Sequence, residues 1–477
     1  MKPFDFPRLA SLLRSVRRQR PAAGLAAVVL LFVVASCKTL PEVDTVPVPA
    51  KATPTIETQR GQLAPKQASA LASRRWAAAS VDLKALAAAE EQATGVPLIA
   101  GNKVSLLFDG PATMREMMAA ARAATSSINL ETYIFDQDQI GMEFADVLIE
   151  KQGQGVQVNV MVDAVGALAT PSAFFARMRA AGIHVVIFNP VNPAKAKGKW
   201  ELNNRDHRKL MVVDGRIAFT GGINISSTYA NSSLFRSKNK KVRIEKEDDI
   251  GWRDTHIKIE GPAVAPLQWS FVNLWVQQAG GELPQAEYFP PLAPVGDKIL
   301  RVLATNPDGD YEIYKSLVTA MNESKKSIHL TAAYFVPDQQ IVDALVGAAR
   351  RGVDVKLVLP GVSDHSMIRY AGQAFYDKLL KGGVRIYELQ IAVLHAKTAV
   401  IDGAWSTIGS ANIDRRSFIH NYELNVVVID PAFGQSMELA FNDDLRDSKE
   451  VTLEQWRHRP WADRLREWAA NLAGYWI

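Results

Sequence analysis

The sequence predicts an α/β fold made by tandem duplication: two α/β domains of mixed sheet flanked by helices, with one active site at their interface. Three observations carry this. Short β-rich runs alternate with helical patterns, which argues an α/β fold whose sheet is largely buried. The alternation is written twice, with matching segments. One motif, H-x-K-x-x-x-x-D-G, stands once in each copy, from His207 to Gly215 and from His395 to Gly403, and in both an asparagine follows the histidine by 17 residues, Asn224 and Asn412. An imidazole, a cation and a carboxylate kept in one spacing, twice, point to a single site built from two halves.

The chain's 477 residues suggest two or more domains rather than one core. With 48% hydrophobic and 22% charged residues, the composition is ordinary for a globular protein, and disorder is expected only locally. A net charge of +5 suits anionic lipid or phosphate substrates and is too weak to argue for nucleic acid, which is not expected as a partner. The single cysteine rules out an intramolecular disulfide.

Taken in order, the chain opens with Arg8, Arg14, Arg17, Arg18 and Arg20, then an apolar run over 22–35, then Ser36-Cys37. Basic, apolar and small residues in that order mark a secretory signal. Val34-Ala35-Ser36-Cys37 resembles the bacterial lipobox, which makes 1–37 a lipoprotein signal peptide and Cys37 the lipidated residue, with an uncleaved signal anchor as the alternative. The expected location is the bacterial cell envelope, lipid-anchored and facing the periplasm, with inner or outer membrane left open. Residues 38–80, rich in Pro, Ala, Thr and Gln, read as a partly extended tether.

The body then divides into 81–291 and 295–477. Ser126 to Phe135 matches Lys326 to Phe335, Gly155 to Val162 matches Gly352 to Leu359, and Ala181 to Val186 matches Gly382 to Tyr387. Helical patterns over 142–151 and 339–351 fall between the first and second matched runs. Each half thus reads strand, helix, strand, helix, strand, then motif. His207 and Lys209 are i and i+2 on a strand, so both point to one face. Asp214-Gly215 and Asp402-Gly403 between apolar runs are hairpin turns, so Asp214 and Asp402 complete the motif in a role that is mainly structural.

The two motifs, with Gly221-Gly222-Ile223-Asn224 and Gly409-Ser410-Ala411-Asn412 as matched sequels, resemble the phospholipase D superfamily over nearly all of the body. Asn203 to Lys209, Trp252 to His256 and Tyr334 to Asp338 are most similar to bacterial cardiolipin synthases. The resemblance places His207, Lys209, Asp214, His395, Lys397 and Asp402 in the active site. It implies that His207 attacks phosphorus while His395 serves as general acid and then base; in sequence the reverse is equally good. Lys209, Lys397, Asn224 and Asn412 would hold the phosphate, with no metal or cofactor required.

A nucleophilic histidine needs an orienting carboxylate. Aligning the strands after each motif superposes Asp254 on Glu423, which makes them the candidates. Transfer of a phosphatidyl group to an alcohol such as phosphatidylglycerol is the reading that the anchor and flanking segments favour. Hydrolysis, by a phospholipase D or another phosphodiesterase, a nuclease included, uses the same residues with water as acceptor; a non-catalytic lipid-binding lipoprotein is the third reading.

The halves are unequal. From histidine to acid is 47 residues in the first and 28 in the second, so about 19 extra residues, including Arg236, Lys238, Lys240, Lys241, Arg243 and Lys246, precede Asp254. A second insertion, 189–202, carries Lys195, Lys197, Lys199 and Trp200. Both read as solvated loops or as a frame for anionic headgroups at the site mouth. At the C-terminus Trp456, Trp461, Trp468 and Trp476 alternate with arginines, a mixture that suits a membrane interface or a capping helix.

Overall fold

The computed structural model describes residues 39–44, 52–196, 200–229, 251–279, 281–307 and 309–472. The expected signal peptide with Cys37, most of the basic insertion (230–250), Lys197, Lys199 and Trp476 lie outside the described residues. Among the described residues no helix is long and apolar enough to cross a membrane.

The leading segment comprises β1 (Ile56–Thr58), β2 (Gly61–Gln62), α1 (Pro65–Arg75) and α2 (Leu83–Thr94). The first half follows with β3 (Leu98–Leu107), α3 (Gly110–Ala123), β4 (Ser127–Thr132), α4 (Gln139–Gly153), β5 (Gln157–Asp163), α5 (Ser172–Ala180) and β6 (His184–Phe188). It closes with β7 (Arg205–Asp206), β8 (Leu210–Val213), β9 (Ile217–Gly221), β10 (Trp252–Arg253), β11 (His256–Glu260) and α6 (Val264–Ala279). The second half repeats the scheme: β12 (Lys298–Thr305), α7 (Glu312–Glu323), β13 (Ser327–Ala332), α8 (Gln339–Arg350), β14 (Asp354–Val362), α9 (Ser366–Gln373), α10 (Tyr376–Lys381) and β15 (Arg385–Leu394). Then come β16 (Lys397–Ile401), β17 (Trp405–Gly409), α11 (Arg415–Ile419), β18 (Asn421–Ile429), α12 (Pro431–Arg446), β19 (Ser448–Val451), α13 (Leu453–Arg457) and α14 (Trp461–Leu472).

The duplication predicted from sequence is visible in the strand order. The first half runs β6-β5-β4-β8-β9-β11-β3. The second runs β15-β14-β13-β16-β17-β18-β12, with β19 added beyond β15. In both, the three βα strands are parallel and the motif hairpin is antiparallel to them. The equivalent helices α4 and α8 are capped alike, by Asp138 and Asp338, each accepting from a first-turn backbone N–H.

Strand β3 serves both halves: Ile99, Ala100 and Asn102 pair with β12, while Lys103 to Leu107 pair with β11. The period-two alternation of β8 explains the rest. Met211 and Val213 join the core under α3, α4 and α5. Leu210 and Val212 join a second core shared with Val400, Ile408, Val426 and Val428 of the other half. Besides a core of the first half's own, the two halves thus share a second core.

The tether reading of 38–80 is corrected from residue 52 onward. Ile56 is fully buried and pairs with Leu98. Pro65 starts α1, whose Ala68 and Ala72 are buried, and the Trp76 indole donates to the Ile429 carbonyl at 2.8 Å. Ala and Gln, which made this stretch look like a linker, are also good helix formers, and two small residues per face are enough to dock on the body.

Candidate active site

Two short cross-half pairings build the site. Strand β7 lies parallel to β18, and the chain continues with His207 N donating to Tyr422 O at 3.0 Å. Strand β10 lies parallel to β15, and His395 N donates to Arg253 O at 2.8 Å. Each motif histidine is thereby set in register against the acid strand of the opposite half. His207 Nδ1 lies 3.0 Å from both oxygens of Glu423. His395 Nδ1 lies 2.6 Å from Asp254 Oδ2. Sequence alignment paired these acids with each other and could not show that they cross.

All four members are buried. Burial pulls His207 down to about 4, against the raising charge of Glu423, and pushes His395 well below its ordinary value. Both are neutral imidazoles at neutral pH; with Nδ1–H given to the carboxylate, Nε2 is the free base. Burial also lowers Lys209 to about 7 and Lys397 to about 8. Each ammonium donates to the carbonyl of its own motif histidine, Lys209 to His207 O at 2.6 Å and Lys397 to His395 O. Lys397 lowers His207 and Lys209 lowers His395, so the two histidine–lysine pairs share one electrostatic environment.

The carboxylates differ, and the sequels to the motifs explain why. Glu423 accepts from Ser410 Oγ at 2.5 Å and Asn421 Nδ2 at 3.0 Å besides His207. Despite burial it is held below the ordinary glutamate range, the charge of His207 being the largest lowering cause. At the position equivalent to Ser410 stands Gly222, where a Cβ would come within 2.1 Å of Asp254. At the position equivalent to Asn421 stands Trp252, whose ring lies 4.8 Å from that of His395. With fewer donors, Asp254 is raised by burial to about 6.

Aromatic rings complete the asymmetry. Tyr229, fully buried, lies with its ring 5.9 Å from His395 and its hydroxyl 3.4 Å from Nδ1. Tyr334 flanks the same histidine at 6.2 Å, and Tyr133 flanks His207 at 5.2 Å. Asn224 spends both ends of its amide inside the protein: Oδ1 accepts from Ile134 N at 3.1 Å, and Nδ2 donates to Tyr229 at 2.9 Å. Asn412 lies buried at the equivalent place, its backbone N–H bound to Ser417. Behind His207, Glu131 and Asp206 are fully buried together, and burial raises both carboxyls.

The motif aspartates are elsewhere. Asp214 accepts from the backbone N–H groups of Thr125, Ser126 and Ser127, and Asp402 from those of Lys325, Lys326 and Ser327. Both occupy the left-handed region, at φ 52° and 54°. Each stands seven positions after its histidine, at the far end of the strand, about 20 Å along the chain. Their inclusion among catalytic groups is corrected: they fasten the hairpin to the start of β4 and β13. Tyr229, Trp252, Ser410 and Asn421 were missed. The last three sit where the two halves differ within otherwise matched segments, which was the available signal.

The insertion at 189–202 leaves the end of β6 and returns to β7 at the site, closed by Asn189 Nδ2 donating to Glu201 O and Asn204 O. Among the described residues no group of three or more His, Cys, Asp or Glu is placed to hold a metal ion.

Comparison with known proteins gives the following. A family model described as "Cardiolipin synthase, PLD-like domain" matches residues 117–242 and 317–445. The cardiolipin synthase of Geobacillus kaustophilus is 35% identical over 379 residues, 79% of this chain and 72% of that protein. The major cardiolipin synthase ClsA of Bacillus subtilis is 32% identical over 378 residues, 78% of this chain and 74% of that protein. Among solved structures, the phosphatidylserine synthase of Haemophilus influenzae shares the fold, with a TM-score of 0.61 at 14% identity, covering 81% of this chain and 99% of that one.

Proposed function

The chain belongs to the phospholipase D-like family of cardiolipin synthases, and we propose that its phosphatidyltransferase chemistry runs through a phosphohistidine on His207. Phosphatidylglycerol is the proposed acceptor. His207 Nε2 attacks the donor phosphorus and the bond from phosphorus to the leaving glycerol oxygen breaks, while His395, which takes up a proton from water on Nε2 as the anionic diester binds, delivers that proton to the leaving oxygen. The acceptor alcohol then gives its proton back to His395 Nε2, its oxygen bonds to phosphorus, and the bond from phosphorus to His207 breaks. Lys209, Lys397 and Asn412 offset the charge on the phosphoryl oxygens, while Asn224 acts through Tyr229.

The inequality of the two carboxylates carries the assignment. A nucleophile is helped by a partner that stays ionised, and Glu423 has three donors holding it so. An acid–base histidine is helped by a partner that shares protons near neutrality, and Asp254 at about 6 does that. The lipid anchor at Cys37, the periplasmic location and headgroup contact by the basic insertions belong to the same proposal and rest on the sequence.

Two experiments test it. With phosphatidylglycerol vesicles, cardiolipin plus glycerol is expected; phosphatidic acid alone would favour the hydrolase. With a diester whose leaving group needs no acid, such as a nitrophenyl ester, His395→Ala should still form a covalent phosphoryl adduct on His207. An adduct on His395 in His207→Ala would reverse the roles.

A further inference from the structure

The C-terminal helix α14 buries a glutamate and leaves an apolar stripe exposed. Glu467 and Ala470 face the body at 4% and 7% exposure, while Trp461, Leu465 and Trp468 stand 77%, 54% and 62% exposed. Those three occur at i, i+4 and i+7, one stripe along the helix. The orientation is held from beneath. Arg459 donates twice to Glu467, at 2.8 Å each, and lies 4.0 Å over the Trp456 ring. Ala470 packs with Ala371 of α9 and with Val336. A helix free to roll would bury its tryptophans, each covering roughly 150–250 Å²; the ion pair prevents this.

The stripe also has a place relative to the site. Val336 is two residues beyond Tyr334, whose ring lies 6.2 Å from His395 and whose hydroxyl donates to Asp364 at 2.7 Å. Helix α9 begins just after Asp364, with Met367 exposed. The helix that carries the stripe therefore packs on the segment running from Tyr334 to α9, beside the second-half histidine. Exposed Arg464 and Arg466 sit on the same helix as the tryptophans, the mixture found where one side of a helix enters the headgroup region of a bilayer.

We propose that α14 is an interfacial helix that seats the second half, and with it the active site, on a bilayer containing anionic phospholipid. Trp461, Leu465 and Trp468 enter the boundary between headgroups and acyl chains, and Arg464 and Arg466 meet lipid phosphates. The choice of a bilayer as occupant rests on the phosphatidyl-transfer reading; the test does not, because it reads insertion without turnover.

The chain's single cysteine allows a unique probe. In full-length protein carrying Cys37→Ser, an environment-sensitive dye is attached through Leu465→Cys, and in a control preparation through Lys66→Cys on α1. With vesicles of phosphatidylglycerol and phosphatidylcholine, the dye on α14 should shift to the blue. Brominated lipids should quench it about fivefold more than the control, and Trp461→Ser with Trp468→Ser should abolish most of that quenching. A dye that stays in water when vesicles are added overturns the proposal. So does one already shielded without vesicles and unmoved by them, since a second copy or another segment then covers the stripe. Insertion without any phosphatidyl transfer would uphold the docking and discard the transfer reading.

Discussion

His207, entering β8 of the first half, directs Nδ1 at Glu423 on β18 of the second, 3.0 Å from each carboxylate oxygen. The bond fixes which ring nitrogen is free, so its loss should damage chemistry more than binding. Glu423→Gln keeps the shape and lets the amide favour the wrong tautomer. We expect kcat to fall by about 10³- to 10⁴-fold with KM changed little, measured by steady-state transfer on vesicles. A variant retaining a tenth of wild-type kcat would remove Glu423 from the mechanism.

The pH dependence follows from burial. Below about 4, His207 is protonated and could not act as the proposed nucleophile. Above about 7, Lys209 loses the charge that offsets the phosphate, and Lys397 follows at about 8. The profile of kcat/KM, which reports the free enzyme, should therefore be bell-shaped between those limbs. Lys209→Arg should move the alkaline limb upward, because a guanidinium stays charged. An alkaline limb unmoved by that change would assign it to another group.

Anion binding should take up protons for the same reason. A phosphodiester placed between the lysines favours their charged forms, so their proton affinities rise on binding. At pH 8, Lys209 is mostly neutral and Lys397 about half so. Calorimetry of a soluble phosphodiester in buffers of different ionisation enthalpy should show uptake on the order of one proton per site. Proton release would contradict the depressed lysines.

What could be read from sequence was whatever the duplication repeats. The histidines, lysines and asparagines recur at fixed offsets, and Asp254 and Glu423 coincide once the strands are aligned. The crossing of acids between halves was hidden, because it depends on β7 joining β18 and β10 joining β15, pairings of two residues each with no periodicity to betray them. Tyr229 was hidden because its counterpart, five residues after the second asparagine, is Ser417. The docking of residues 56–76 was hidden because alanine serves a linker and a close-packed helix equally well.

That last point bears on truncation. A chain beginning at 81 loses β1, α1 and the Trp76 bond to Ile429, whereas one beginning at 52 keeps them. Removing a buried tryptophan alone costs about 3–5 kcal/mol. Thermal unfolding should place the shorter chain well below the longer, while the longer stays within a few degrees of the full protein. Equal midpoints would restore the tether reading for 52–80.

Asp402 tests whether the motif carboxylate is structural. Its oxygens accept from Lys325, Lys326 and Ser327, and its backbone sits at φ 54°. Asp402→Ala leaves three strand-entry donors without their acceptor and puts a β-carbon residue with no local hydrogen bond into the left-handed region. The expected cost is about 3 kcal/mol. Asp402→Asn keeps one acceptor and tolerates that conformation, so it should cost about half as much. Because the carboxylate lies a hairpin's length from His395, kcat per folded molecule should fall less than about tenfold in either variant. Denaturant titration beside active-site counting separates the two effects; a thousandfold loss in kcat at unchanged stability would return Asp402 to the catalytic groups.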